Sequence, residues 1–327
     1  MYYIVILFLA TACSVSPGAE QKSRSSQTQS EPAKAASLPV FSGDSAFNAI
    51  ARQLEFGPRV PGTDAHRECA TWLSNELSRM GAEVCVQEAT ATAYDGTKLP
   101  IINIIGSYNK DARQRVLLIS HWDSRHIADE DPNPALRNKP VPAANDGASG
   151  VGILLEIARL AGQNNPRMGI DIFLTDTEDY GAPDSWTGTH REEDWALGTQ
   201  YWCRNPHTGS YRATYGILLD MVGATDATFY REYYSDRFAS DVVNHVWKTA
   251  AQLGYGDLFI DTYGPGITDD HVFINRITGI PTIDIIDTRR DGDGTFYPHW
   301  HTTDDTLDKI SPVTLQKVGN VLVKLLF

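Results

Sequence analysis

Strand-like and helix-like segments alternate along this sequence from Arg115 onwards, and this pattern constrains the fold more than any other feature. The run RVLLISH is continuously apolar until its last residues, as expected for a strand buried on both faces, and GIDIFLTD and YGILLDM also read as strands. Helical periodicity appears between them in ASGVGILLEIARLAG and near DWALGTQYWC. The sequence therefore predicts an α/β fold with a central, mixed, mostly parallel twisted sheet flanked by helices.

The part of the chain before Arg115 is expected to add two helices and two strands to this sheet. FSGDSAFNAIARQLEF and TDAHRECATWLSNELSRM have the periodicity and end signals of helices, and AEVCVQEAT and PIINIIGSY read as strands. No internal repeat and no Pro- or Ser-rich linker interrupts the chain after Phe41. The simplest organisation is a single domain over residues 41–327 that holds all the candidate catalytic residues.

The N-terminal segment has the features of an export signal. Residues 1–12 (MYYIVILFLATA) are apolar but too short to span a bilayer as a helix. Small residues precede Cys13, which resembles the lipoprotein box in which the cysteine is lipidated; a plain secretory signal is the alternative. We therefore predict a signal peptide over residues 1–13, a polar flexible tether over 14–40, and a protein exported to the periplasm or cell envelope. A lipid on Cys13 would be its one membrane contact.

The charge of the chain argues against a nucleic-acid partner. Its 327 residues carry 28 Lys and Arg against 41 Asp and Glu, a formal net charge of -13, and the basic residues are scattered. Nucleic-acid-binding domains instead concentrate basic residues in a patch or stripe.

The cysteines predict neither a disulfide framework nor a thiolate metal site. Apart from Cys13 they are Cys69, Cys85 and Cys203, an odd number without a C-x-x-C pair. A single bridge such as Cys69–Cys85 remains open at this level.

Polar residues stand where nearly every strand of the alternating part ends. The clusters are His121-Trp122-Asp123, Asn145-Asp146-Gly147, Glu178-Asp179, Asp220 and Trp300-His301. Taken singly, each has an ordinary explanation, such as a helix cap or a hydrogen bond within a loop. Taken together, they bring carboxylates and imidazoles to one edge of the sheet. Zn²⁺ accepts these ligands at about 2.0–2.2 Å, so the clusters predict a zinc site.

Glu178 and Asp179 are adjacent, and two carboxylates in a closed site repel each other unless a cation or a proton relieves the repulsion. We expect one of them to bind the metal and the other to carry protons.

The order of these motifs resembles the zinc exopeptidase superfamily, which contains di-zinc aminopeptidases and the animal-type glutaminyl cyclases. The resemblance covers Phe41 to Phe327 and rests on motifs that occur in the superfamily's order: GPRVPG, HWD, ANDGASG, TEDYG, LLDMVGA and HT. Two segments are similar to the cyclases in particular, namely the D-D-H of Asp269–His271 and the W-H-T of Trp300–Thr302. The resemblance thus implies a zinc-exopeptidase-like fold and conversion of an N-terminal glutamine of peptides or proteins into pyroglutamate with release of ammonia.

The same resemblance assigns roles to individual residues. It implies one Zn²⁺ per chain, a proton shuttle that shares a network with two further acids, and two tryptophans that bind the substrate. The metal ligands would be Asp146, Asp179 and His301, the catalytic acids Glu178, Asp220 and Asp269, and the tryptophans Trp300 and Trp186, with Trp195 as the alternative to Trp186. Position 179 is an aspartate where animal cyclases have a glutamate.

Two other functions are compatible with the same residues. His121 and Asp220 would complete a second metal site in a secreted di-zinc aminopeptidase, which activates a water between two metals. A third hypothesis is an envelope protein that retains the fold as a non-catalytic binding module. The presence of Glu178 with all three ligands argues against that hypothesis.

Overall fold

The computed structural model describes Met1 and residues 38–164, 166–288 and 296–327. The predicted signal peptide, Cys13 and nearly all of the predicted tether lie outside the described residues. The α-helices in these ranges are α1 (Gly43–Glu55), α2 (Asp64–Arg79), α3 (Ala148–Asn164), α4 (Leu197–Arg204), α5 (Tyr233–Gln252), α6 (Asp270–Thr278) and α7 (Pro312–Leu326). The strands are β1 (Glu83–Thr92), β2 (Lys98–Tyr108), β3 (Arg115–His121), β4 (Gly169–Thr175), β5 (Tyr215–Asp220), β6 (Phe229–Arg231), β7 (Phe259–Tyr263) and β8 (Thr282–Ile286).

Six of these strands form one sheet in the order β1-β2-β4-β3-β5-β8. The strands β4, β3, β5 and β8 are parallel to one another, whereas β2 is antiparallel to β4 and β1 is antiparallel to β2. The short strands β6 and β7 pair with each other in a separate parallel sheet. The prediction of a mixed, mostly parallel sheet in an α/β fold is therefore confirmed.

Helices cover both faces of the sheet because its central strands are apolar on both sides. In β3, Val116 and Leu118 belong to a large core shared with α1, α3, α5 and α7. Leu117 and Ile119 point to the opposite face and pack in a smaller core with Trp202 of α4. This is the period of two that a strand imposes on its side chains, and it explains why the four residues from Val116 to Ile119 are all apolar.

Two glycines allow the start of α3 to approach the end of β3 closely. Gly147 has φ +88°, and a Cβ there would lie 2.8 Å from Cε1 of His121. A Cβ on Gly150 would lie 2.4 Å from the carbonyl oxygen of Leu219. Because any side chain would collide at these points, the small residues of this motif bring the helix terminus against the strand ends that carry His121 and Asp220.

Cys69, Cys85 and Cys203 are all free thiols, so no bridge joins any two of them. Over the described ranges, no helix combines the length and the apolar character needed to cross a bilayer.

Candidate active site

The candidate residues meet because the parallel strands end side by side. His121 at the end of β3 is in register with Thr175 at the end of β4, and Ile119 of β3 is in register with Leu218 of β5. The residues that follow these strands therefore emerge at one edge of the sheet, which is where α/β folds place their ligand sites.

Three turns at this edge have left-handed backbone geometry at residues other than glycine. Thr177, Met221 and His301 have φ of 56°, 47° and 53°. Such a conformation costs about 1–3 kcal/mol and persists only where surrounding structure fixes it. Each of the three is a candidate site residue or directly adjoins one. Backbone strain therefore occurs at the turns that orient the candidate site side chains.

Asp146, Asp179 and His301, the three predicted zinc ligands, lie together and are buried. His301 Nε2 lies 3.1 Å from Asp179 Oδ1 and 3.7 Å from Asp146 Oδ2. The buried oxygens Asp146 Oδ2 and Asp179 Oδ2 have no hydrogen-bond partner. Buried carboxylate oxygens without a donor are unfavourable unless a cation or a proton compensates them, and two carboxylates with one imidazole are a donor set that fits Zn²⁺.

A second cluster shares Asp146 with the first one. His121 Nε2 lies 3.1 Å from Asp146 Oδ1 and 3.2 Å from Asp220 Oδ1. Burial opposes the charged imidazolium, but the carboxylates of Asp123, Asp146 and Asp220 outweigh it and raise the pKa of His121 well above its usual value. His121 therefore lies within hydrogen-bond distance of two acids, Asp146 and Asp220. The residues of a second metal site are all in place.

Asp123 orients the segment that carries Glu178 and Asp179. Its two carboxylate oxygens accept hydrogen bonds from the backbone N–H groups of Glu178 (3.1 Å) and Asp179 (3.2 Å). A single buried side chain therefore sets the direction of both neighbouring carboxyl groups.

The three predicted catalytic acids influence one another electrostatically. Burial first, and then the charge of Asp269, raises the pKa of Glu178 well above its usual value. Burial and the charge of Asp220 raise the pKa of Asp269 to about 7. Carboxyl groups whose pKa values are shifted upwards can hold and release a proton near neutral pH, as general acid–base catalysis requires.

Three further buried titratable residues, His271, Glu232 and Asp284, lie near these acids. His271 Nε2 lies 3.0 Å from Oε2 of Glu232, and the other oxygen of Glu232, Oε1, accepts the backbone N–H of Ile267 at 2.9 Å. Asp284 in β8 is fully buried, and neither of its carboxylate oxygens has a hydrogen-bond partner. Burial and the charge of Asp269 raise the pKa of Asp284 well above the usual range.

All six predicted metal-binding and catalytic residues line one cavity of about 350 Å³. Its remaining wall is mostly apolar and includes Trp300 and Trp195. Trp186 does not line this cavity and instead packs edge-on against Tyr94, with ring centroids 5.0 Å apart. Of the two sequence candidates for the second substrate-binding tryptophan, Trp195 lines this cavity and Trp186 does not.

Trp195 reaches the cavity because Gly181 has no side chain. A Cβ on Gly181 would lie 2.0 Å from the Trp195 ring, so this ring packs directly on the glycine. The ring is nearly parallel to that of His301, at 13° with centroids 6.3 Å apart. The glycine of the TEDYG motif is a sequence signal for close packing at this point, but it does not identify the ring that packs there.

Sequence reasoning did not identify several charged residues that hold the candidate ligands. Asp305 accepts the backbone N–H groups of Asn145 (3.0 Å) and Asp146 (3.1 Å), and so connects the segment after His301 to the start of α3. Arg125 and Asp129 contact Asp179 and His301. Acidic residues close to a predicted ligand in HTTDDT were the only available signal for Asp305.

The sequence is similar to a known protein family and to curated proteins. The model of Peptidase family M28 matches residues 103–326. A curated relative, the glutaminyl-peptide cyclotransferase-like protein of Bos taurus, is 24% identical over 290 residues, covering 81% of this chain and 70% of the relative.

Solved structures of bacterial proteins are more similar. The glutaminyl cyclase of Bacteroides thetaiotaomicron has a TM-score of 0.86 and 49% identity, covering 88% of this chain and 98% of its own. The glutaminyl cyclase of Tannerella forsythia has a TM-score of 0.85 and 48% identity, covering 88% and 98%. A protein of Bacteroides thetaiotaomicron described as a leucine aminopeptidase precursor is similar to the same degree, with a TM-score of 0.85 and 49% identity over 88% and 97%.

Proposed function

Because this chain belongs to Peptidase family M28, we propose that it is a glutaminyl-peptide cyclotransferase, which converts an N-terminal glutamine into pyroglutamate and releases ammonia. The observation that carries this function is its likeness to solved bacterial glutaminyl cyclases, at 49% identity over 88% of the chain in one case. Two curated relatives, a glutaminyl-peptide cyclotransferase and a glutaminyl-peptide cyclotransferase-like protein, support the same activity over the aminopeptidase alternative. Its substrates are peptides and proteins that begin with glutamine.

The proposed cofactor is one Zn²⁺ held by Asp146, Asp179 and His301. Membership of the M28 family and the unpartnered oxygens of the two aspartates support this choice. When bound, zinc supplies a Lewis acid that polarises the side-chain carbonyl of the substrate glutamine.

Glu178 is the residue that moves the proton in this reaction. The neutral α-amine of the substrate, whose reference pKa is about 7.7–8.0, attacks the carbon of its own side-chain amide. Glu178 accepts the proton that the amine loses as the new C–N bond forms, and returns it to the amide nitrogen as the old C–N bond breaks. Ammonia leaves with that proton, so Glu178 ends in its initial state and no water is consumed.

Asp269 and Asp220 assist by making the carboxylate of Glu178 more basic. The charge of Asp269 contributes to the raised pKa of Glu178, and the charge of Asp220 contributes to that of Asp269. An ionised Glu178 is therefore a stronger base than an ordinary carboxylate, which suits a group that must accept a proton and then return it.

We expect the apolar wall of the cavity to bind the glutaminyl side chain of the substrate. Alanine variants of Trp195 and Trp186 test which of the two tryptophans takes part. Replacing Trp195 by alanine removes a ring beside His301 and should lower kcat/KM roughly tenfold to hundredfold, the value of burying one large apolar group. Trp186→Ala is the matched control and should change kcat/KM about twofold or less. Steady-state kinetics with a Gln-initiated peptide measures both; a larger loss in the Trp186 variant would reverse the assignment.

The proposed activity is tested by incubating the purified protein with a short peptide that begins with glutamine. We expect the peptide to lose the mass of one ammonia, with ammonia detected in equal amount. Free glutamine and a shortened peptide would instead identify an aminopeptidase. A peptide that remains unchanged after incubation with the zinc-loaded protein would favour the third hypothesis, a non-catalytic binding module.

Export to the cell envelope is proposed from the N-terminal sequence. The apolar run of residues 1–12 and the small residues ahead of Cys13 support a signal peptide with a lipid anchor. Newly exported proteins with N-terminal glutamine would then be the accessible substrates.

A further inference from the structure

A fully buried arginine stands beside the candidate metal site. Arg125 follows β3 by four residues and is 0% exposed. Its guanidinium forms two parallel hydrogen bonds with Asp129, from Nε to Oδ1 and from Nη2 to Oδ2, each 2.7 Å long. Buried charges are retained only where they are paired and hydrogen-bonded. The mechanism described above uses neither residue, so the presence of this pair calls for another explanation.

The pair contacts two of the three candidate zinc ligands. Arg125 Nη1 donates to the backbone oxygen of Asp179 at 3.0 Å and lies 3.4 Å from its Oδ1. Asp129 Oδ1 lies 3.3 Å from Nδ1 of His301. The guanidinium carbon is also 5.0 Å from the centre of the Trp195 ring. One ion pair therefore connects both ligands with the wall of the cavity.

The two nitrogens of His301 face different partners. Nε2 points towards Asp146 and Asp179, which places it on the side where a metal would bind. Nδ1 is buried and faces the carboxylate of Asp129. An imidazole that binds a metal through Nε2 carries its proton on Nδ1, and a carboxylate next to Nδ1 selects that tautomer.

The backbone of the same loop also holds His301. The N–H of Glu130 donates to the carbonyl oxygen of His301 at 3.3 Å, and His301 has the left-handed φ of 53°. The loop therefore contacts both the ring and the strained main chain of this ligand.

We propose that the Arg125–Asp129 ion pair is a positioning device that sets the metal affinity of this site. Asp129 holds His301 as the Nδ1–H tautomer with Nε2 free for the metal. Arg125 fixes Asp129 and one oxygen of Asp179, and leaves the other Asp179 oxygen for the metal. At 3.3 Å the Asp129–His301 contact is longer than a charge-assisted hydrogen bond of about 2.7–2.9 Å, and we expect it to shorten when metal binds. The inference rests on the proposed zinc site but not on the identity of the reaction.

The test compares zinc affinity in two isosteric variants, measured by competition with a chelator of known affinity. Asp129→Asn should weaken zinc binding about 10–100-fold, the usual effect of removing the carboxylate partner of a ligand histidine. Asp131→Asn is the matched control, because Asp131 accepts hydrogen bonds from the backbone and hydroxyl of Thr303 (3.0 and 2.7 Å) and so joins the same two loops without contacting a ligand. It should bind zinc like the unaltered protein.

A second measurement reports the tautomer directly. In the metal-free proteins, the ¹⁵N chemical shifts of the His301 ring should show a protonated Nδ1 in the unaltered protein and a mixture of tautomers in Asp129→Asn. Equal zinc affinity in Asp129→Asn and the unaltered protein would overturn the inference. Equal weakening of zinc binding in Asp129→Asn and Asp131→Asn would also overturn it, because the loop would then act only through its general structure. An unaltered protein that binds no zinc would instead refute the proposed metal site, whatever its cyclase activity.

Discussion

Replacing Glu178 by glutamine is expected to lower kcat about 10²–10⁴-fold while zinc binding remains unchanged, because general acid–base catalysis contributes that factor. The amide has the shape of the carboxyl group but can neither accept the proton of the α-amine nor return it to the leaving nitrogen. Asp123 holds this segment through backbone N–H groups, which the substitution retains. The geometry of Asp179 next to it should therefore be preserved.

Steady-state kinetics with a Gln-initiated peptide, together with metal analysis of the same preparation, checks this result. Glu193→Gln is the matched control, because Glu193 is an exposed residue of the loop before α4. It should retain the full rate. Turnover at the normal rate in Glu178→Gln would remove Glu178 from the mechanism, whereas loss of zinc would show that the variant acts through the metal site.

Asp179→Asn is expected to lose zinc and to lower kcat/KM by about 10³-fold or more, since a Lewis acid contributes several kcal/mol to such a reaction. Asp220→Asn should keep one zinc per chain and lose activity only through the acid network. The two variants differ in this way because Asp179 belongs to the cluster with His301, whereas Asp220 belongs to the cluster with His121.

Metal analysis of the two variants decides between one and two metals. One zinc in the unaltered protein, none in Asp179→Asn and one in Asp220→Asn is the pattern expected for the cyclase. An unaltered protein with two zinc ions, reduced to one in Asp220→Asn, would contradict the single-metal site. It would also assign His121 and Asp220 to a second metal, as the aminopeptidase alternative requires.

Much of the fold follows from local sequence patterns. The run RVLLISH is strand β3 from Arg115 to His121, and the helix predicted from ASGVGILLEIARLAG is α3. The pairing of β2 with β4 is antiparallel, and this was not predictable because strand neighbours depend on contacts between segments distant in sequence. The short pair β6–β7 was missed because three residues such as Phe229–Arg231 carry too little pattern.

The candidate site was predictable where carboxylate and imidazole side chains follow the ends of strands. Asp146, Asp179 and His301 lie together, because residues that follow parallel strands share one edge of the sheet. Arg125 and Asp129 were not identified, since charged residues in a loop look the same in sequence whether they are solvated or buried. Trp186 was chosen over Trp195 because sequence spacing does not reveal which ring packs on a glycine in an irregular loop.

The placement of the candidate ligands on separate segments also bears on when a metal can bind. Asp146 precedes α3, Asp179 follows β4, and His301 lies near the C-terminal helix, so their donor atoms meet only after the parallel strands have assembled. A zinc ion bound at the proposed site would be a ligand of the native state alone and, at a thousandfold excess over its dissociation constant, would add about 4 kcal/mol to the free energy of unfolding. Interactions formed this late slow unfolding and leave the folding rate unchanged. The metal would thus protect the finished enzyme without helping the chain to fold.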